Sequence, residues 1–379
     1  MNAGMRDRAG GESELATLRE AVRDFLAAKS SEEAVRALME STPPFDLDVW
    51  RQLAGQLRLP ALAIPEEYGG DGFGPVELGV VFEEMGRVLL CAPFFSTVAL
   101  GAQTLLASGD RDACARHLPG IAAGRVTATL AAAEGNGSWD PALVAARAVP
   151  DPSGDGWRLS GRKSFVIDGA TADLLLVVAR STAGPSFFAV DRGAPGLSVR
   201  PMTTLDATRA MTALTLDAVP ATLVGTEGAA GRGMARVLDL ASVALAAEQA
   251  GGARRCLEES AGYARTRYQF GRPIGSFQAV KHRCADMLVQ VELAEAAARE
   301  AALLAAEGSE RFAVAAATAH VCCSRAYLFA ATENIQVHGG IGFTWEHPAH
   351  LYFRRAKSSQ LLFGGPAVYH ERLLDRLGI

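Results

Sequence analysis

The sequence predicts an α+β multidomain chain with an N-terminal helical domain, a middle antiparallel β-barrel or sandwich, and a C-terminal four-helix bundle. Three observations predict it. Apolar residues recur every three to four positions near both ends of the chain, the period of a helix with one buried face. Between those regions lie short β-prone runs, bounded by Gly, Pro or Asp and spaced by about ten residues. The order is thus helices, strands, helices, not the alternation that builds a parallel α/β sheet. The expected domain boundaries are 1–125, 126–230 and 231–379.

In the first domain Leu15, Leu18, Val22, Phe25 and Leu26 mark one helix face. Asp46, ahead of Leu47-Asp-Val-Trp50, suits an N-cap, because its carboxylate accepts from the free N–H groups of a first turn. Residues 75–86 read as a further helix, and the Gly-, Pro- and Asp-punctuated stretch 64–74 as a loop. The expected strands are 157–160, 163–167, 174–179, 186–190, 197–200 and 213–216. The expected bundle helices are 234–268, 276–307, 310–337 and 347 to the C-terminus, with Ser276 capping the second.

Composition narrows the function. A chain of 379 residues, 49% hydrophobic and 21% charged, is not disordered throughout. A net charge of −5 gives no basic field to recruit nucleic acid or an anionic membrane. Cys91, Cys114, Cys256, Cys284, Cys322 and Cys323 show no C-x-x-C spacing and lie in apolar helical patterns. Neither a zinc site nor a disulfide framework is expected, and a reducing cytoplasm fits. Residues 1–11 lack the apolar run of a signal peptide. The most apolar window, 237–250, is broken by Asp239 and Glu248 and is too short to span a bilayer. A soluble cytoplasmic protein is expected, with no metal and no membrane partner.

Common catalytic signatures are absent. There is no G-x-G-x-x-G, G-x-S-x-G or H-E-x-x-H. Gly156-x-x-x-x-Gly161-Arg-Lys-Ser nears P-loop spacing, but Arg162 holds the lysine place and the segment is strand-rich. His338, His347 and His350 lack an acidic helix face with ligand spacing and read as loop and interface histidines. Two dense segments remain. In Arg267-Tyr-Gln-Phe270-Gly-Arg-Pro-Ile-Gly-Ser-Phe277-Gln278, Arg267 and Phe270 share a helix face. A guanidinium beside an aromatic ring suits a pyrophosphate joined to a flat heterocycle; a helix hairpin with surface arginines is the plain alternative. In Asn334-Ile-Gln336-Val-His-Gly339-Gly340-Ile-Gly342, three glycines exceed the one that a helix C-cap needs. They allow close backbone approach to an anion.

Together these two segments, with Leu59-Pro-Ala-Leu-Ala-Ile-Pro65-Glu-Glu-Tyr-Gly-Gly70 and Tyr352-Phe-Arg354-Arg-Ala-Lys357, resemble the acyl-CoA dehydrogenase family from about residue 50 to residue 364. The resemblance implies a flavoprotein that binds FAD between subunits and oxidises an acyl-CoA thioester to its 2,3-enoyl form. A carboxylate takes the α-proton while the β-hydride passes to the flavin. It also implies an electron-transfer flavoprotein or similar acceptor, and assembly as a homodimer, homotetramer or heterotetramer with a related subunit. Carried over by position, Arg267, Phe270 and Gln278 hold the FAD diphosphate and adenylate of a neighbouring subunit, and Gln336, Gly339 and Gly340 line the same cofactor. Phe165 stands where the family has a tryptophan against the flavin, and Ile167 where a threonine bonds the ring.

The chain departs from that pattern at the base. Phe363 stands where the family most often has its Glu, and Ala241 where a minority of members place it. Glu248, on a helix face with Ala241, Ala244, Leu245, Gly251 and Gly252, is the expected base, as in the actinobacterial steroid-side-chain branch that the Ala-Glu-Gln-x-Gly setting resembles. The alternative is a buried structural carboxylate paired with Arg254, Arg255 or a flanking chain. The small residues of this helix are expected to leave room for a bulky, steroid-like acyl group. The loop Ala133-Glu134-Gly-Asn-Gly137-Ser-Trp-Asp140 matches the family's cofactor loop only in part. That departure and Phe363 motivate a second expectation, a non-catalytic subunit that completes a shared FAD site.

Overall fold

The structure, a computed structural model, describes residues 3–154 and 156–379, with side chains from residue 11 onward. In chain order its helices and strands are α1 (Ala3–Lys29), α2 (Glu32–Met39), α3 (Leu47–Gly55), α4 (Pro75–Arg87), α5 (Gln103–Ser108), α6 (Arg111–Ala122), β1 (Ala128–Ala131), β2 (Arg147–Pro150), β3 (Trp157–Ile167), β4 (Leu174–Ser181), β5 (Gly184–Asp191), β6 (Leu197–Met202), β7 (Met211–Val224), α7 (Ala230–Thr266), β8 (Tyr268–Gln269), β9 (Arg272–Pro273), α8 (Gln278–Ala306), α9 (Phe312–His338), α10 (Ala349–Leu361) and α11 (Pro366–Leu377). The order helices, strands, helices is as expected. By compactness the chain divides into two units, 1–37 with 74–90 and 242–379, and 38–73 with 91–241.

The second unit is built on the sheet. β4 pairs with β2 and β5, β2 with β3, β3 with β7 and β7 with β5, which closes a barrel; β1 adds to β4 and β6 to β7. Most pairings are antiparallel, as expected, but β1–β4 and β2–β4 are parallel. β1 and β2 were not among the expected strands. Ala-Thr-Leu-Ala and Arg-Ala-Val-Pro are short, and alanine gives little β signal. The expected strands 157–160 and 163–167 fuse into β3, whose register slips at Gly161 and again between Lys163 and Val166. Asp46 caps α3, accepting from the N–H of Asp48 (2.7 Å) and Val49 (3.2 Å). Asp110 caps α6 in the same way through Ala113 (2.9 Å).

The first unit is helical. α7 and α9 run side by side in one direction: Gly252 lies beside Tyr327, Ser260 bonds Asn334 and Tyr263 meets His338. The expected fourth helix is two, α10 and α11, broken where Phe363 and Gly364 take positive φ (64° and 114°). Gly364-Gly-Pro366 carried that signal. Ser276 does not cap α8. Phe277 occupies the cap position, and the Ser276 hydroxyl is buried without a partner. Among the described residues one helical stretch, 312–343, is long and apolar enough to cross a membrane by length and composition, and half of its most apolar 18-residue window is buried inside the protein.

Candidate functional site

The exposed end of the bundle is built from two turns. α7 ends at Thr266, and β8 and β9 form a small hairpin with Phe270 (φ 53°) and Gly271 (φ 77°) at its tip. The hairpin base is fixed at Arg267, whose N–H donates to Tyr263 (2.8 Å) and whose carbonyl accepts from Ile274 (2.8 Å). Phe270 is 92% exposed and meets the Phe277 ring edge-on at 6.1 Å, while Arg272 lies 4.1 Å over Phe277. Arg267 is exposed and pairs with no carboxylate among the described residues. Gln278 is exposed at the start of α8.

The second turn follows α9. Gly339 has φ 66° and ψ −143°, which an L-residue adopts only with strain. A Cβ at Gly342 would press to 3.0 Å on His338 and on the Ile335 carbonyl. Gly340 answers to neither need: its φ is not positive and a Cβ there would meet nothing within 4 Å. Backbone conformation explains Gly339 and packing explains Gly342, so Gly340 remains as bare backbone facing outward. The Ser260 hydroxyl donates to Asn334 (2.8 Å), and Tyr263 lies against His338 (ring centroids 4.3 Å). These contacts bring the two turns together, one helical turn from Arg267 and next to Gly339. The Gly339 N–H is already spent on the Gln336 and Ile335 carbonyls. An unpaired guanidinium, an exposed ring, the exposed amide of Gln336 and the exposed backbone at Gly340 fit a diphosphate with an aromatic appendage.

Glu248 lies inward, as expected, at 7% exposed. Its partner is Arg355, 4% exposed, whose Nη1 donates to Oε1 at 2.9 Å. Arg254 instead grips Glu295 and Glu292 (2.7 and 2.6 Å), and Arg255 grips Glu259 (2.8 Å). The sequence carried a signal for Arg355: it stands in Arg354-Arg-Ala-Lys357 where the family pattern Arg-Asp-Ala-Lys has an acid. Nor do the small residues around Glu248 leave the expected room. A Cβ on Gly251 would fall 1.8 Å from the Glu83 carbonyl, and one on Gly252 2.5 Å from the Tyr327 ring. The α4 backbone and a tyrosine fill that space. Phe363 is fully buried, as is Ala241.

In the β-containing unit, Phe165 (φ 56°) sits half-buried in the second irregularity of β3, beside Gly137. Ile167 is 1% exposed, and its carbonyl accepts from the Thr129 hydroxyl (2.7 Å). It holds a core position instead of the expected ring contact. The loop after β1 is pinned by Glu134, which accepts from the N–H of Ala145 and Ala146 (3.0 and 2.9 Å) and from buried Lys163 (2.8 Å). Burial alone would raise the Glu134 carboxyl. Lys163 and the two N–H groups outweigh it and hold the group below its ordinary value. Burial pulls the Lys163 ammonium down, opposed by Glu134.

Three family models match: acyl-CoA dehydrogenase N-terminal domain over residues 12–125, middle domain over 129–219 and C-terminal domain over 231–378. Acyl-CoA dehydrogenase IpdE2 of Mycobacterium tuberculosis is 36% identical over 94% of this chain and 95% of its own. Among solved structures, the Tcur3481-Tcur3483 steroid ACAD is 36% identical with TM-score 0.86, covering 97% of this chain and 98% of that one. The ChsE4-ChsE5 complex from Mycobacterium tuberculosis is 30% identical with TM-score 0.86, covering 96% and 97%.

Proposed function

Because the chain belongs to the acyl-CoA dehydrogenase family, flavin-dependent oxidoreductases acting on acyl-CoA, we propose that it is one subunit of a two-chain dehydrogenase. It lends its bundle end to an FAD that a related chain also holds, and that related chain supplies the base. The observation that carries this reading is the buried Glu248–Arg355 pair, together with inert side chains at the two usual base positions. A carboxylate engaged by a guanidinium in a packed interior has a structural task, whereas a catalytic base needs a path to the α-carbon. The similarity to a steroid ACAD and to a ChsE4-ChsE5 complex supports the pairing.

Each residue then has a role. Arg267 lays its N–H donors on the diphosphate, and Phe270 and Gln278 hold the adenylate. Gln336 and the exposed backbone of Gly339 and Gly340 would line the same cofactor. FAD, when bound, accepts the hydride that leaves the β-carbon. We take the substrate to be a ring-bearing, steroid-derived acyl-CoA on the strength of the named steroid ACAD, and the acceptor to be an electron-transfer flavoprotein.

A second reading keeps Glu248 as the base, favoured by its inward position two turns along α7 from Ala241. Exchange of the substrate α-proton in heavy water, measured on the assembled flavoprotein, separates the two. Under the partner reading Glu248→Gln retains both FAD and exchange. Loss of exchange by roughly 10²–10⁴-fold with FAD retained makes Glu248 the base.

A further inference from the structure

The glycine turn after α9 is flanked by aromatic contacts at both ends. At its start the His338 ring meets Tyr263 (4.3 Å, tilted 32°) and His347 (4.2 Å, tilted 44°). At its far end Trp345 meets His350 edge-on at 4.5 Å, with the Arg354 guanidinium 4.7 Å over the indole. Between these contacts the backbone of Gly339, Gly340 and Ile341 is exposed. A stretch with three glycines pays a large ordering entropy if it must take one shape on binding. Contacts that set the shape beforehand remove that cost.

The hydrogen bonds fix the protonation of both rings. His338 Nδ1 faces the Asn334 carbonyl at 2.8 Å, and a carbonyl only accepts, so Nδ1 carries the proton. His347 Nδ1 faces the Ala349 N–H at 3.2 Å, and an amide only donates, so that nitrogen offers a lone pair and the ring is neutral.

We propose that the Tyr263–His338–His347 ring cluster, called the stack below for its 4.2–4.3 Å tilted contacts, positions the Gly339–Gly340 turn for the FAD diphosphate, and that protonation of His347 releases it. This rests on the cofactor reading above. A proton on His347 Nδ1 abolishes its bond to Ala349 and sets a charge 4.2 Å from its neighbour ring. The charged and titratable groups packed around the pair are Glu259 from α7, Glu32 and Arg36 from α2, and His350 and Arg354 from α10. Glu32 and Glu259 are each bound by an arginine of their own helix at 2.8 Å. Burial, then His338, holds His347 below its ordinary 6.5. The neutral stack is therefore at full strength above pH 6.5 and weakens as pH falls below it.

His338 and His347 would thus be positioning residues, and hydrogen exchange with FAD titration tests them. In the purified protein at pH 7.5, His347→Ala should speed amide exchange across residues 339–343 by about tenfold, and His347→Phe, which keeps a ring, should restore it. On the assembled flavoprotein, His347→Ala should weaken FAD binding by about tenfold at pH 7.5. A titration downward from pH 7.5 should show a step of weaker binding below pH 6.5 in the native protein that is absent in His347→Phe. Unchanged exchange in His347→Ala overturns the proposal. So does faster exchange with unchanged FAD affinity, which leaves the stack a purely structural role. Arg267→Ala is the separate control: if FAD binding survives it, the cofactor reading fails, whatever the stack does to exchange.

Discussion

Glu248 and Arg355 depend on each other. Each charge is buried, and removing one takes a close counter-charge from the other in a low-dielectric interior. Arg355→Met should cost roughly 3–5 kcal/mol in unfolding free energy, whereas Glu248→Leu with Arg355→Met should recover most of it. Chemical denaturation of the four proteins of that cycle checks both numbers, and an additive double variant would show that the two residues do not act as a pair. That Glu248 turns inward was legible from its apolar helix face. Arg355 stood out as a basic residue in Arg354-Arg-Ala-Lys357, but its pairing with Glu248 was not legible, because helical periodicity reports which face is buried and is silent on what distant segment comes to lie against it. Local geometry also hid the fate of Ile167. An apolar residue at the end of a strand is equally at home under a ligand or in the core.

At the level of helices, the crossing of α4 and α7 is reciprocal. Gly86 lies where a Cβ would meet the Glu248 carbonyl at 1.9 Å, and Gly251 where one would meet the Glu83 carbonyl at 1.8 Å. Two backbones approach so closely that only glycine fits on both sides. Gly251→Ala should therefore be strongly destabilising, by roughly 1–3 kcal/mol or more, because the obstacle is main chain and cannot rotate away. Thermal unfolding would show this as a lower midpoint, and an unchanged midpoint would mean the helices slide apart freely. In the sequence Gly251, Gly252 and the alanines on the same face of α7 looked like open space for a substrate. Small residues read the same way whether a ligand or another helix fills the gap. The split of the last helix into α10 and α11 was readable from Gly364-Gly-Pro366. The alanine-rich β1 was not, since its strand state comes from pairing with β4 instead of its own propensity.

For the molecule as a whole, the helix–strand–helix order and the family followed from periodicity and from two motifs that lie far apart in the chain yet meet at one bundle end. That surface presents Arg267, Phe270, Gln336 and the glycine turn outward, while the chain keeps its inward carboxylate in an ion pair. On the proposed reading this end helps hold a cofactor, and the positions where the family places its base carry Phe363, Ala241 and the ion-paired Glu248. A cofactor shared between chains ties flavin content to assembly. The most direct measurement is the visible spectrum and flavin content of the chain purified alone and after co-expression with a related acyl-CoA dehydrogenase subunit. The account predicts a colourless protein alone and about one FAD per pair of chains in the complex. A yellow protein with about one FAD per chain, bleached by acyl-CoA with no second subunit present, would contradict it.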